Sequence, residues 1–347
     1  MTKIIVVGSG IIGLSSALFL SLSGFRVSLI TKNPEEAVSW VAGGMLAPFS
    51  EGLEGVLFDF SYRSLKEYPS YVELIRDVSG QRIDLWMEGI YRVVLKGEED
   101  ALMKAKRYIK EGFKLEILTP KALLSDYVDF LIHYTEEGWV DAPMLMDALL
   151  FAINREGVEF ITDRIHKVIT KDRRVVRLEG VKNRYEADFY VFCTGTWTRE
   201  LFDLPVFPVK GQALKVKHPT VDRVYYSSIS YIIPRSKYVY IGATTERQNT
   251  DLHVSLEGIK TLSENAMRIM PTISSAQFLS AMVGFRPATP DDLPIFDLGE
   301  NYMLLTGHYR NGILHAPMTV KVLQDYLLKG ERSCYLDFFS PERFKNS

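Results

Sequence analysis

The stretch from Lys3 to Lys32 constrains this chain more than any other. Ile4-Ile5-Val6-Val7 is a short, wholly apolar run rich in β-branched residues, the pattern of a strand buried on both faces. It runs directly into Gly8-Ser9-Gly10-Ile11-Ile12-Gly13. From Leu14 to Ser23 apolar residues recur at three- and four-residue spacing, which predicts a helix. Gly24 stops it, and Arg26 to Ile30 reads as a second strand. A G-x-G-x-x-G turn at the strand-to-helix junction of a βαβ unit is a fingerprint of dinucleotide binding. Gly8 permits the tight turn, Gly10 lets the backbone approach a pyrophosphate, and Gly13 lets helix and strand pack closely. The N–H groups of the helix beginning at Ile11 then face the phosphates. The same apolar start could be read as an export signal, but Arg26 interrupts it and no small-residue cleavage site follows.

The rest of the composition narrows the class by exclusion. A chain of 347 residues suits two lobes, each able to bury a core. Lys and Arg number 41 against 43 Asp and Glu, so no basic excess exists to hold a nucleic-acid backbone. Cys193 and Cys334 form no C-x-x-C pair and suggest a reducing compartment, and the six histidines lack metal-ligand spacing. Past the N-terminal unit no apolar run is long enough to span a bilayer, so a cytoplasmic protein without a membrane or nucleic-acid partner is expected.

Further along, Tyr62 to Val78 and Glu98 to Glu111 have helical spacing, the latter with a solvated basic face of Lys104, Lys106, Arg107 and Lys110. Gly89 to Leu95 and Phe130 to Trp139 read as strands, and Asp141 caps a helix with Pro143 in its first turn. Ala187 to Trp197 holds a buried strand ending at Thr194-Gly195, in which Cys193 is a small core residue rather than a nucleophile. From Pro208 to Thr245 short alternating strands suggest an antiparallel sheet and a second lobe. Helical spacing returns at Ser255 to Met270 and from Ile313 to about Leu328, and Asp291-Asp292 is a turn pair.

Three stretches are more specific than the opening turn: Ser39-Trp40 through Gly43-Gly44-Met45-Leu46-Ala47-Pro48, Gly284-Phe285-Arg286-Pro287, and Gly307-His308-Tyr309-Arg310-Asn311-Gly312-Ile313-Leu314. With these the chain resembles the D-amino-acid oxidase family of FAD flavoproteins over nearly its whole length, most closely the glycine oxidases of thiamine biosynthesis. Residues 55 to 130 carry no matching motif. The resemblance implies an α/β fold with a Rossmann-like FAD lobe (1–55, 140–205 and 275–347). An interleaved α+β substrate lobe with a mainly antiparallel sheet takes 56–139 and 206–274. It implies non-covalent FAD touching Gly8, Gly10, Ile11, Ile12, Gly13, Thr31, Lys32, Ser39, Gly43, Gly44, Met45 and Leu46. It adds Ile165, Thr194, Gly195, Trp197 and the run His308, Tyr309, Arg310, Asn311, Gly312, Ile313 and Leu314. Thr31 stands where the family has a ribose-binding glutamate, so Thr31 and Lys32 hold the ribose differently, or Glu35 or Glu36 reaches back.

Arg286 matches the arginine that grips a substrate carboxylate, Tyr231 a tyrosine that meets the same group, and Arg310 a second arginine nearby. A guanidinium suits that role through paired charge-assisted hydrogen bonds. On residue type alone the arginines could equally be ion-pair formers and Tyr231 a packing residue, while Arg235 reads as structural. The implied reaction is hydride loss from a small amino acid to the flavin, then dioxygen reduction to hydrogen peroxide in a dimer or tetramer. It requires no protein acid or base. An FAD-dependent D-amino-acid or D-proline dehydrogenase with another electron acceptor, an NADP-dependent reductase and a non-catalytic FAD-binding subunit stay open.

Overall fold

The computed structural model describes residues 1–218, 220–247 and 250–345. Lys3–Val7 sits inside a six-stranded sheet, hydrogen-bonded in parallel to Arg26–Thr31 on one side and Phe189–Phe192 on the other. Glu159–Thr162 extends the sheet beyond the second strand, and Tyr302–Thr306 and antiparallel Ile295–Leu298 complete it at the opposite edge. The apolar run Ile4 to Val7 is buried, as its unalternating pattern requires. The first helix, Ile11–Leu22, starts immediately after Gly10 and packs Leu14 and Leu18 against the helices Ala142–Arg155 and Gly312–Gln324. Asp141 caps the second of these, accepting from Met144 N at 3.1 Å. The third continues into a single wide turn, Asp325–Lys329, and stops at Gly330, whose φ is +70°.

A second sheet has eight strands, ordered Gln277–Ala288, Phe207–Lys217, Val239–Gly242, Tyr231–Pro234, Tyr225–Tyr226, Ile90–Leu95, Val128–Tyr134 and Leu115–Leu118. Every pairing in it is antiparallel except that of Tyr225–Tyr226 with Ile90–Leu95. Small three-stranded sheets flank the main two.

Three expectations shift. Gln277–Ala288, grouped with the dinucleotide lobe, pairs along its length with Phe207–Lys217 in the antiparallel sheet. Gly55–Ser79, grouped with the substrate lobe, buries Phe60, Leu65, Tyr68, Val72 and Ile75 in the same core as the first helix. Its Tyr71 hydroxyl meets Ser15 Oγ at 2.5 Å and Tyr68 donates to Ile313 O at 3.0 Å. The apolar faces of three helices find one another there, which no local spacing reveals. Finally, Phe130 to Trp139 breaks into Val128–Tyr134 and Gly138–Val140, strands of different sheets. The break is the turn in which Glu137 N donates to Tyr134 O at 3.2 Å.

Candidate functional site

Gly8, Thr31, Thr194 and Gly307 all lie just past, or at, the carboxyl ends of parallel strands, where a doubly wound sheet opens its crevice. A cavity of about 690 Å³ begins at that edge and runs to the antiparallel sheet. Gly8 has φ +107°, and a Cβ there would lie 2.3 Å from Cys193 O. One on Gly13 would lie 1.9 Å from Gly8 O, so Gly13 serves helix–strand packing, as its place in the motif implies. Gly10 differs: a Cβ would meet only Ser39 Oγ at 3.6 Å and otherwise project toward the cavity. The space its missing side chain leaves is available to a ligand. Ile11 N donates to Ser39 Oγ at 3.0 Å, and the following first-turn N–H groups have no intrahelical acceptor. Cys193 is buried beneath the turn, and burial pushes its thiol up to about 12, so it is an inert core group.

At the end of the second strand, Thr31 Oγ1 and Ser9 Oγ share a hydrogen bond of 2.8 Å. Lys32 pairs with Glu36 at 3.2 Å, so neither Lys32 nor Glu36 is free to serve the cavity alone. Farther in, Gly44 has φ +67° and a Cβ there would lie 2.1 Å from Val140 O. Arg235, fully buried, donates to Val140 O at 2.9 Å and to Gly43 O, and stacks 4.2 Å over Trp139. It is a clamp for the Gly43-Gly44 loop and lines no part of the cavity, in keeping with its structural reading.

The C-terminal loop turns at Gly307 (φ +72°) and Tyr309 (φ +47°), and Tyr309 N donates to Pro287 O at 2.9 Å. Behind it, His308 Nδ1 and His315 Nδ1 are 3.2 Å apart and His315 Nε2 meets Ser61 Oγ at 2.8 Å. Burial pushes His308 down to about 3 and lowers His315 as well, so both rings are neutral. His308 Nε2 is buried without a protein partner.

On the antiparallel sheet two glycines make troughs for two side chains. A Cβ on Gly211 would lie 2.4 Å from Arg286 Nη2, and one on Gly242 would lie 2.2 Å from Tyr231 Cε2. Arg286 therefore lies flat on the strand beside it, with Nη1 donating to Thr244 O at 3.0 Å and its remaining donors available to the cavity. Tyr231 stacks in parallel on Tyr240 with centroids 6.0 Å apart. Arg310 pairs with Glu51 at 3.3 Å, and that carboxylate raises its pKa further.

Every residue expected to contact cofactor or substrate lines this one cavity except Gly13, Leu46 and Leu314, which are packed behind it. Sequence reasoning missed Glu51, Gly211, Gly242, Tyr240 and the His315–Ser61 relay. The two glycines had a signal, since glycine inside a strand marks close approach. Glu51 had none.

A family model described as "FAD dependent oxidoreductase" matches residues 3–326. The chain belongs to that family. Its cofactor is FAD, and the residues present fit it: a glycine turn that a Cβ would obstruct, first-turn N–H donors, and a buried histidine nitrogen lacking a partner. Over 99% of its length the chain is 32% identical to the bifunctional protein ThiO/ThiG of Trichormus variabilis, covering 56% of it. It thus spans about half the length of the bifunctional relatives it matches. It is 28% identical to the glycine oxidase of Geobacillus kaustophilus over 97% of this chain and 96% of that one. The crystal structure of glycine oxidase from Geobacillus kaustophilus superposes with a TM-score of 0.91 at 26% identity, covering 98% of both chains. Among the described residues no helix is long and apolar enough to cross a membrane, and no cluster of His, Cys, Asp and Glu could hold a metal.

Proposed function

We propose that the chain oxidises a small amino acid, glycine first, to an imine that water converts to the 2-oxo acid and ammonia, with dioxygen as electron acceptor. The observation that carries this reading is Arg286 and Tyr231, each seated in a glycine trough on the antiparallel sheet and both lining the same cavity as the Gly307–Gly312 loop. The likeness to glycine oxidases supports the substrate class.

Arg286 offers parallel donors to a carboxylate, and the Tyr231 hydroxyl offers a third. With the carboxylate anchored, a substrate Cα is held in one orientation, and orientation is what this chemistry requires of the protein. FAD, when bound, would supply the two-electron sink for the Cα–H bond, with dioxygen as the final acceptor. The neutral His308 ring lines the cavity, and the start of the Gly312–Gln324 helix brings free backbone N–H groups to it. The Glu51 carboxylate balances Arg310, so the pocket presents a single uncompensated guanidinium, that of Arg286. A product imine used in thiamine biosynthesis is in keeping with the likeness to bifunctional ThiO/ThiG proteins.

Anaerobic glycine should bleach the flavin absorbance of the purified protein, and readmitted air should restore it with one peroxide per turnover. Bleaching without peroxide would instead mark a dehydrogenase with another acceptor. Absence of bleaching by glycine, sarcosine, D-alanine or D-proline would refute an amine oxidoreductase.

A further inference from the structure

The end of the second strand is where a dinucleotide-binding unit ordinarily offers a carboxylate to the adenosine ribose. This chain has Thr31 there, and the charged and amide groups nearby, Glu35 apart, are already engaged. Lys32 is paired with Glu36. Asn33 Oδ1 accepts from Glu35 N at 3.0 Å, closing its own turn. Asp163, also in the cavity wall, accepts from Arg164 N, Lys182 N, Asn183 N and the Tyr185 hydroxyl. Arg164 pairs with Glu200 at 2.9 Å. The Glu35 side chain is left; it too borders the cavity, but from an exposed turn outside the sheet with no partner among the described residues that fixes its position.

What does face the cavity from buried, fixed positions is the hydroxyl pair of Ser9 and Thr31, 2.8 Å apart and exposed by 4% and 8% respectively. Two hydroxyls that share one hydrogen bond keep one unused proton and spare lone pairs between them. That set can accept from one ribose hydroxyl and donate to another. Ser9 is thereby more than a filler position in the glycine motif.

We infer that Ser9 and Thr31 together hold the adenosine ribose of FAD, as an uncharged two-hydroxyl substitute for the usual carboxylate. A neutral acceptor makes a weaker bond than a charged one. The adenosine half is accordingly the loosely held end of the cofactor, and a carboxylate at position 31 tightens it.

The test measures binding of FAD and of FMN, which lacks the adenosine half, to the full-length protein by flavin fluorescence, with no amine present. Its outcome is therefore independent of which substrate the enzyme oxidises. Ser9→Ala and Thr31→Val should each weaken FAD about tenfold and leave FMN unchanged, one hydrogen bond being worth about that factor. Thr31→Ser, which keeps the hydroxyl, should match the parent, and Thr31→Glu should bind FAD more tightly. Equal loss for FAD and FMN would mean that the turn itself is disturbed and would overturn the assignment. So would Thr31→Ser behaving like Thr31→Val, or FAD affinity unmoved by Ser9→Ala and Thr31→Val.

Discussion

Arg286 and Glu137 show how differently two ionisable side chains can serve one cavity. Arg286 lies in the wall with donors to spare beyond its bond to Thr244 O, so its removal should act mainly on substrate. For Arg286→Ala, kcat/KM for glycine should fall about a hundredfold, the scale of a lost charge-assisted hydrogen bond, with flavin content unchanged and stability lowered by about 1 kcal/mol for the lost bond to Thr244. Steady-state kinetics beside a thermal melt would check this. Glu137 never reaches the cavity. It is fully buried and accepts from Phe49 N at 2.6 Å, Ser50 N at 2.8 Å and the Ser50 hydroxyl, fixing the turn that presents Glu51 to Arg310. Burial pushes its carboxyl up to about 8 from an ordinary 4.5. The folded state thus holds a proton across that window which the unfolded chain releases, so stability falls as pH rises from 4.5 to 8. Glu137→Gln should flatten that part of the melting-temperature profile, and an unchanged slope would refute the assignment.

At the scale of strands and turns, the glycines divide into two sets with separable consequences. Gly8→Ala would drive a Cβ into Cys193 O, so it should lower the flavin-to-protein ratio of the purified enzyme. Gly242→Ala would instead push on the Tyr231 ring and should raise KM for glycine while flavin content holds. Absorbance and kinetics on the same preparations distinguish the two. This division also marks what was legible in the sequence. The Gly8-to-Gly13 turn, the buried run before it and the Asp141 cap are encoded by neighbours a few residues apart, and each forms as read. The Gly242 trough depends on direct pairing of Gly242 with Tyr231, and that of Gly211 on Val209 standing opposite Arg286 in a strand far along the chain. Periodicity within a segment carries no information about its partner. The same reason explains why Gln277–Ala288, grouped with the FAD lobe, pairs instead with Phe207–Lys217.

Taken whole, the molecule packs four helices and the six-stranded sheet into one core, while the antiparallel sheet buries cores of its own. Phe60, on the long Gly55–Ser79 helix, makes edge contacts with Phe296, His315, Tyr335 and Phe339, at ring separations between 4.8 and 5.7 Å. Phe60→Ala should cost about 3–5 kcal/mol of stability and lower the melting temperature in a single transition that carries flavin release with it. A flavin signal lost well before the far-UV signal would show that the sheets unfold separately. The cavity itself is drawn from distant parts of the chain, with Gly8 and Ile313 both in its lining. On the ribosome that order of synthesis matters. The phosphate turn emerges early, but the Gly307 to Gly312 loop that lies beside it is made late, so a nascent chain arrested before Gly307 would leave the tunnel folded in part and still unable to retain flavin.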